Sequence, residues 1–222
     1  MDESQRKINF KLSPSSLNLM KDCPRCFWLE KHGVWKRPAG IFPSLPSGMD
    51  RVLKKHFDKF MEKDELPPEI REHPDCTEMK LFKDKDLLTA WQNNWRGISW
   101  IDEKGNLLRG AVDNILQKGN KLIVLDYKTR GYDLKENTHE HYRLQMDLYN
   151  FLLRKNGYET EDIGFLLFYV PKEVTETGEV IFDTTLKKMH TDTENAEKEF
   201  RKAINLLESE CPSEGCEWCQ RI

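Results

Sequence analysis

The chain has 222 residues, 38% hydrophobic and 33% charged, with 35 Lys+Arg set against 38 Asp+Glu for a formal net charge of −3. This length supports one core, read as a single domain over residues 1–222, and the charge excludes the global positive field that binds polyanions indiscriminately, so any nucleic-acid contact must be local. The longest apolar run, residues 163–170, falls well short of the roughly 20 residues a membrane-spanning helix needs, and MDESQRKINF holds no apolar signal core, which argues against membrane-spanning and secreted classes and points to the cytoplasm.

In chain order, Ser13-Pro14 reads as a helix start, with Ser13 as N-cap and Pro14 at the first helical position, and the helix is expected to reach about Lys31. Pro38, Gly40, Pro43 and Pro46 break the stretch 37–47; Ser47 then caps a second helix to about Lys63, whose Val52, Leu53, His56, Phe57 and Phe60 fall on one face. Residues 66–95 carry Pro67-Pro68 and the isolated Cys76 and support only a helix around 87–95. From Ile98 the period falls to two, predicting strands at 98–100, 107–117 and 121–129, a β-meander with turns at 102–106 and 119–120. A helix over 137–156, strands at 163–170 and 180–185, a helix over 193–210 and a short cysteine-bearing tail complete an α/β (α+β) order.

The segment from Gly110 to Lys128 is the most informative. A two-residue loop at Gly119-Asn120 pairs Lys118 with Lys121 and, counting back along the ladder, Ile115 with Val124 and Asp113 with Asp126. Side chains alternate along a strand, so Lys128 shares the face of Asp126 while Ile123, Leu125 and Tyr127 point the other way. Two opposed carboxylates repel unless a cation lies between them. Oxygen ligands favour Mg²⁺ or Mn²⁺, which hold phosphate and acidify water, and Lys128 would then position the water or stabilise charge developing on phosphorus. A one-residue change of register separates the aspartates and leaves Asp126 and Lys128 as an exposed strand pair. His56 is expected to point at the core, where a lone histidine is more often a hydrogen-bonded core residue than a ligand. Gln145 and Tyr149 lie one turn apart on one helix face.

Taken in order, His56, Gly110-x-x-Asp113, Asp126-x-Lys128 and Gln145-x-x-x-Tyr149 resemble the signature of the RecB-like branch of the PD-(D/E)XK nuclease superfamily. The N-terminal SPSSLNLMKDCPRCFWL and the C-terminal CEWC look like the flanks of its CRISPR-associated exonuclease-like members, so the resemblance covers essentially the whole chain. It implies a restriction-endonuclease-like core, a central mixed β-sheet flanked by helices. It also implies a divalent metal on His56, Asp113, Asp126 and the backbone carbonyl of Tyr127, with Lys128 as the catalytic lysine and Gln145 and Tyr149 contacting DNA or orienting that lysine. The family often carries Glu where this chain has Asp126, which shortens the ligand by one methylene and keeps its charge. A histidine nitrogen in an oxygen set fits Mn²⁺ at least as well as Mg²⁺.

Cys23-Pro-Arg-Cys26 and Cys216-Glu-Trp-Cys219 are two C-x-x-C pairs at opposite ends of the chain, with Cys211 as a possible substitute ligand. Four such thiolates make a tetrahedral zinc site or an iron–sulfur cluster, and spacing does not separate the two. Resemblance to the iron–sulfur branch implies a 4Fe-4S cluster, with structural Zn²⁺ as the alternative, although the family arrangement places one cysteine N-terminally and three C-terminally. Either metal clips residues 13–31 to residues 210–222. Cys76 and Cys211 are read as non-ligands.

Basic residues around this segment include Arg109, Lys128, Arg130 and Arg143, and Trp28, Trp35, Trp91, Trp95 and Trp100 offer aromatic surface, read as mostly core. The leading expectation is a metal-dependent DNA exonuclease acting on single-stranded or frayed ends in DNA repair, recombination or CRISPR adaptation. The alternative is a catalytically weak DNA-binding accessory domain whose partner helicase or nuclease supplies activity.

Overall fold

The computed structural model describes residues 9–40 and 43–221. Most of MDESQRKINF, residues 41–42 of the proline-rich break and residue 222 of the tail lie outside the described residues.

After a short strand β1 (Lys11–Leu12), α1 (Pro14–Asp22) begins at the expected cap, where Ser13 Oγ accepts the Ser16 N–H at 3.3 Å and the Ser13 N–H donates to Ser16 Oγ at 2.8 Å. The one helix expected here is two. Pro24 disfavours the α region for the residue before it, and Cys23, at φ −159° and ψ 106°, both ends α1 and caps α2 (Pro24–Lys31). Helix α3 (Ser44–Glu62) starts before the expected Ser47, because Pro46 is tolerated in a first turn. It buries Leu53 and Phe57, whereas Val52, expected beside them, is exposed. Then come α4 (Pro68–Arg71), β2 (Lys80–Leu81) and α5 (Lys85–Gln92).

The expected meander is divided between two sheets. Strands β3 (Ile98–Ile101) and β4 (Leu107–Gly110) join β1 in the order β1-β4-β3, while β5 (Asn114–Lys118) and β6 (Lys121–Thr129) enter a larger sheet, β2-β5-β6-β7-β8, with β7 (Thr160–Val174) and β8 (Val180–His190). The strand predicted over 107–117 breaks at residues 111–113, where the Val112 N–H donates to the Trp91 carbonyl at 3.2 Å and the Gln92 side-chain amide donates to the Asp113 carbonyl at 2.7 Å. The larger sheet is mixed, since β6 runs parallel to β7 and antiparallel to β5.

Helices α6 (Arg143–Lys155) and α7 (Thr193–Glu208) bury their apolar stripes in the core that takes Leu122 and Val124 from β6. Ile123, Leu125 and Tyr127 point into a second core with Leu53 and Phe57 of α3. The sheet is therefore covered on both faces, which is the mixed α/β, restriction-endonuclease-like arrangement expected, with a second small sheet added. Fully buried side chains such as Phe57, Phe165 and Phe168 each stabilise such a core by roughly 2–3 kcal/mol. Among the described residues, no helix is long and apolar enough to cross a membrane.

Candidate active site

The β5–β6 register is the predicted one, Lys118 opposite Lys121 and Ile115 opposite Val124, and the ladder stops at Asn114 opposite Leu125. Asp113 sits one residue beyond, in the break, and its Oδ2 accepts the Tyr127 N–H at 2.9 Å, so a carboxylate replaces the next backbone partner. Asp126 Oδ1 accepts from Gln145 Nε2 at 3.0 Å, and the same amide donates to the Tyr149 hydroxyl at 2.8 Å. Lys128 Nζ pairs with Asp126 Oδ2 and lies 4.7 Å from the centre of the Tyr142 ring.

Five of the expected side chains, Asp113, Asp126, Lys128, Gln145 and Tyr149, thus line one open cavity of about 320 Å³. The Tyr127 side chain points away, its hydroxyl accepting from Asn114 Nδ2 at 2.8 Å, so only its backbone borders Asp113. Gly110 is required by close approach: a Cβ there would lie 2.6 Å from the Tyr149 ring.

Burial, and then the charge of Asp126, pushes the Asp113 carboxyl up to about 7. Burial works to lower the Lys128 ammonium, but Asp126 and Asp113 outweigh it and hold the group above its ordinary value. Tyr149 is pushed well above its ordinary value by burial, with Asp126 and Asp113 adding to it, and stays a neutral hydroxyl. Two adjacent carboxylates, one of them raised by burial and by its neighbour's charge and bordered by a half-buried ammonium, form a donor set suited to a hard divalent cation.

His56 is not brought to this pair. Its Nε2 lies 3.0 Å from Glu69 Oε1, an oxygen that also accepts the Tyr169 hydroxyl at 3.1 Å, and its ring packs edge-on against Phe57 and Phe60. The helix period explains the difference. Asp50 and Lys54, four residues apart, turn one face of α3 into the cavity, and a residue two positions after Lys54 is rotated by about 200° away from that face. The structure therefore does not bring His56, expected as a metal ligand, to the carboxylate pair; the same helix presents Asp50 and Lys54 to the cavity. The signal in the sequence for these two is their i, i+4 spacing.

A second cavity of about 410 Å³ shares Asn94, Ala111, Gln145 and Tyr149 with the first and extends to Arg109 and to Ser13, Ser15 and Asn18 of α1 and its cap. The two form one groove running from the start of α1 to the carboxylates. Arg143 is held by Glu140 through bonds of 2.6 Å outside this groove. Of the tryptophans, Trp91 is core and Trp95 is 84% exposed.

At the far end of α1, the Sγ atoms of Cys23, Cys26, Cys216 and Cys219 all lie within 4.8 Å of one another, a group able to hold a metal ion. Burial pushes the Cys26 thiol up to about 12, whereas backbone N–H groups of Cys219 and Trp218 help bring Cys216 down to about 6. Cys211 lies half-buried beside the four, with its Sγ on the Pro212 carbonyl at 3.7 Å, and Cys76 is buried in the α3-side core.

No curated protein matches the chain. Among solved structures, that described as the crystal structure of SSO0001 is similar at 16% identity and a TM-score of 0.47, covering 95% of this chain and 82% of the other. The family model of the PD-(D/E)XK nuclease superfamily matches residues 11–221. With that match spanning nearly its whole length, the chain belongs to the PD-(D/E)XK nuclease superfamily.

Proposed function

We propose that this protein is a divalent-metal-dependent deoxyribonuclease, a single domain with a cysteine clip, acting as an exonuclease on single-stranded or frayed DNA ends. One observation carries the reading: Asp113, Asp126 and Lys128 converge with Gln145 and Tyr149 in a cavity that opens into a longer groove.

Asp113, Asp126 and the Tyr127 carbonyl would hold Mg²⁺ or Mn²⁺, with Asp50 offering a further carboxylate in the same cavity. Such an ion, when bound, polarises a phosphoryl oxygen and makes water a stronger nucleophile. Gln145 fixes the orientation of Asp126, and the Tyr149 hydroxyl fixes Gln145. Lys128, charged and half-buried beside both aspartates, is placed to stabilise negative charge building on the phosphorus oxygens as water attacks in line. Ser13, Ser15, Asn18 and Arg109 line the groove with donors suited to a phosphate backbone. The net charge of −3 favours recognition confined to that groove, as for one strand threaded to its end. Repair, recombination or CRISPR adaptation, with a helicase or adaptation protein as partner, is the setting this activity suits.

The test is cleavage of end-labelled single-stranded DNA with Mn²⁺ or Mg²⁺ by the full chain, beside Lys128→Ala and Gln145→Ala. We expect metal-dependent shortening from one end, lowered at least about 100-fold by Lys128→Ala and retained in part by Gln145→Ala. Intact DNA after incubation with folded, metal-loaded parent would overturn the nuclease reading in favour of the accessory domain.

A further inference from the structure

The cysteine clip carries an inference of its own, and it departs from the cluster that the family resemblance implies. Its sulfurs come from the α1–α2 junction and from the tail. The Sγ distances are 3.8 Å for Cys23–Cys219, 3.5 Å for Cys26–Cys216 and 3.9 Å for Cys216–Cys219, and every other pair lies within 4.8 Å. A single tetrahedral ion with Zn–S bonds of about 2.3 Å sets its four sulfurs about 3.8 Å apart. In a cubane each cysteine binds its own iron at a different corner, so the sulfurs stand roughly 6 Å apart. Each pair in this clip falls short of that.

The surroundings resist widening. Cys23, Cys26 and Cys219 are buried. The Cys26 N–H donates to Cys23 Sγ at 3.4 Å, which fixes the first pair across the start of α2, and the Cys219 N–H donates to the Cys216 carbonyl at 3.1 Å, which closes the second into a turn. A Cβ on Gly215 would lie 2.5 Å from Cys219 Sγ and 2.9 Å from the Arg25 side chain. Arg25 in turn donates to the Pro212 carbonyl at 2.8 Å, and Arg37 reaches Cys216 Sγ at 3.5 Å, placing a cation against the thiolates.

We infer that the clip is a closed structural zinc site with Cys23, Cys26, Cys216 and Cys219 as its four ligands, and that a 4Fe-4S cluster does not fit it. Four thiolates leave no position for water or substrate, so the ion is a redox-inert fastener. It fastens α1 at its Cys23 end to the tail, while the opposite end of α1 lines the groove through Ser13, Ser15 and Asn18. Zinc therefore sets the groove wall and takes no part in chemistry at Asp113 and Asp126. The inference holds whether or not the chain cuts DNA, because its readouts are metal content and spectra.

The full chain is produced with iron and zinc both supplied, purified anaerobically, and assayed for metals and acid-labile sulfide. We expect about one zinc ion per chain, with neither iron nor sulfide. Co²⁺ added to the chelator-stripped protein should give the visible absorption of a tetrahedral tetrathiolate, which zinc then bleaches. Cys211→Ser should keep the zinc and Cys216→Ser should lose it. Should Cys216→Ser fail to fold, zinc release in step with mercurial modification of the parent's thiols reports on the same ligands. Iron and sulfide in equal amounts with a brown chromophore would overturn the inference, as would folded protein holding neither metal or a Co²⁺ complex without thiolate bands.

Discussion

Lys54 carries its ammonium from α3 to within 3.6 Å of Asp113 Oδ1 while holding Asp50 Oδ2 at 2.9 Å. The lysine thus supplies positive charge to Asp113 from α3, while Lys128 pairs with Asp126 from β6. A divalent ion on Asp113 would compete with that ammonium for the same oxygen. Lys54→Met should therefore tighten Mn²⁺ binding several-fold, as expected for removing a like charge a few ångströms away in a medium of intermediate dielectric. Calorimetric titration of Mn²⁺ reads this, and unchanged or weaker binding would count against the competition.

Asp113 also ties stability to pH. Its carboxyl is raised to about 7 in the folded protein against about 3.9 in an unfolded chain, so the fold favours the protonated acid. Stability is greatest below the unfolded value and declines as pH rises toward about 7, levelling off above it. Without metal, Asp113→Asn should remove this decline and exceed the parent at pH 8 by roughly 2–4 kcal/mol. Urea denaturation across pH 4–8 measures the effect, and Mn²⁺ should stabilise the parent and not the variant. Parallel pH profiles would show that Asp113 carries no such strain.

The two candidate α3 ligands separate by mutation. His56→Ala should leave Mn²⁺ affinity within about twofold and lower stability by about 1 kcal/mol, since Glu69 keeps Tyr169 but loses the imidazole. Asp50→Asn should weaken Mn²⁺ binding about tenfold with little effect on stability, because this carboxylate is partly exposed. The reverse pattern would restore His56 as the ligand.

Gly110→Ala tests the wall between β4 and α6. The added methyl would meet the Tyr149 ring at 2.6 Å, and a clash of that kind in a packed interior destabilises by about 1–3 kcal/mol. The Tyr149 hydroxyl should leave Gln145, lowering cleavage beyond what the stability loss explains. Thermal unfolding and turnover measured on the same sample separate the two effects, and a variant with parental activity and stability would remove Tyr149 from the supporting role.

Much of this was legible from local rules. The Ser13 cap, the Gly119-Asn120 turn, the alternation along β6 and the helices of the C-terminal half follow from short-range sterics and hydrophobic period, and they alone place Asp126 and Lys128 on one face. The C-x-x-C spacings likewise announced that two ends of the chain would meet. The α1–α2 break at Cys23 was equally local, since Pro24 signals it.

What only the tertiary structure decided is long-range. The break at residues 111–113 rests on Trp91 and Gln92 of α5, contacts that no window of sequence contains. The face of α3 that meets the carboxylates depends on how that helix seats against β6, so a periodicity that correctly buried Leu53 and Phe57 could not choose between His56 and the pair Asp50 and Lys54. The sulfur spacing of the clip is set in the same way, by the tail packed against α2. Sequence fixes which groups a turn or a strand can present together, because those distances are set by covalent geometry; packing between distant segments decides which of them meet, because that energy exists only once the chain has closed on itself.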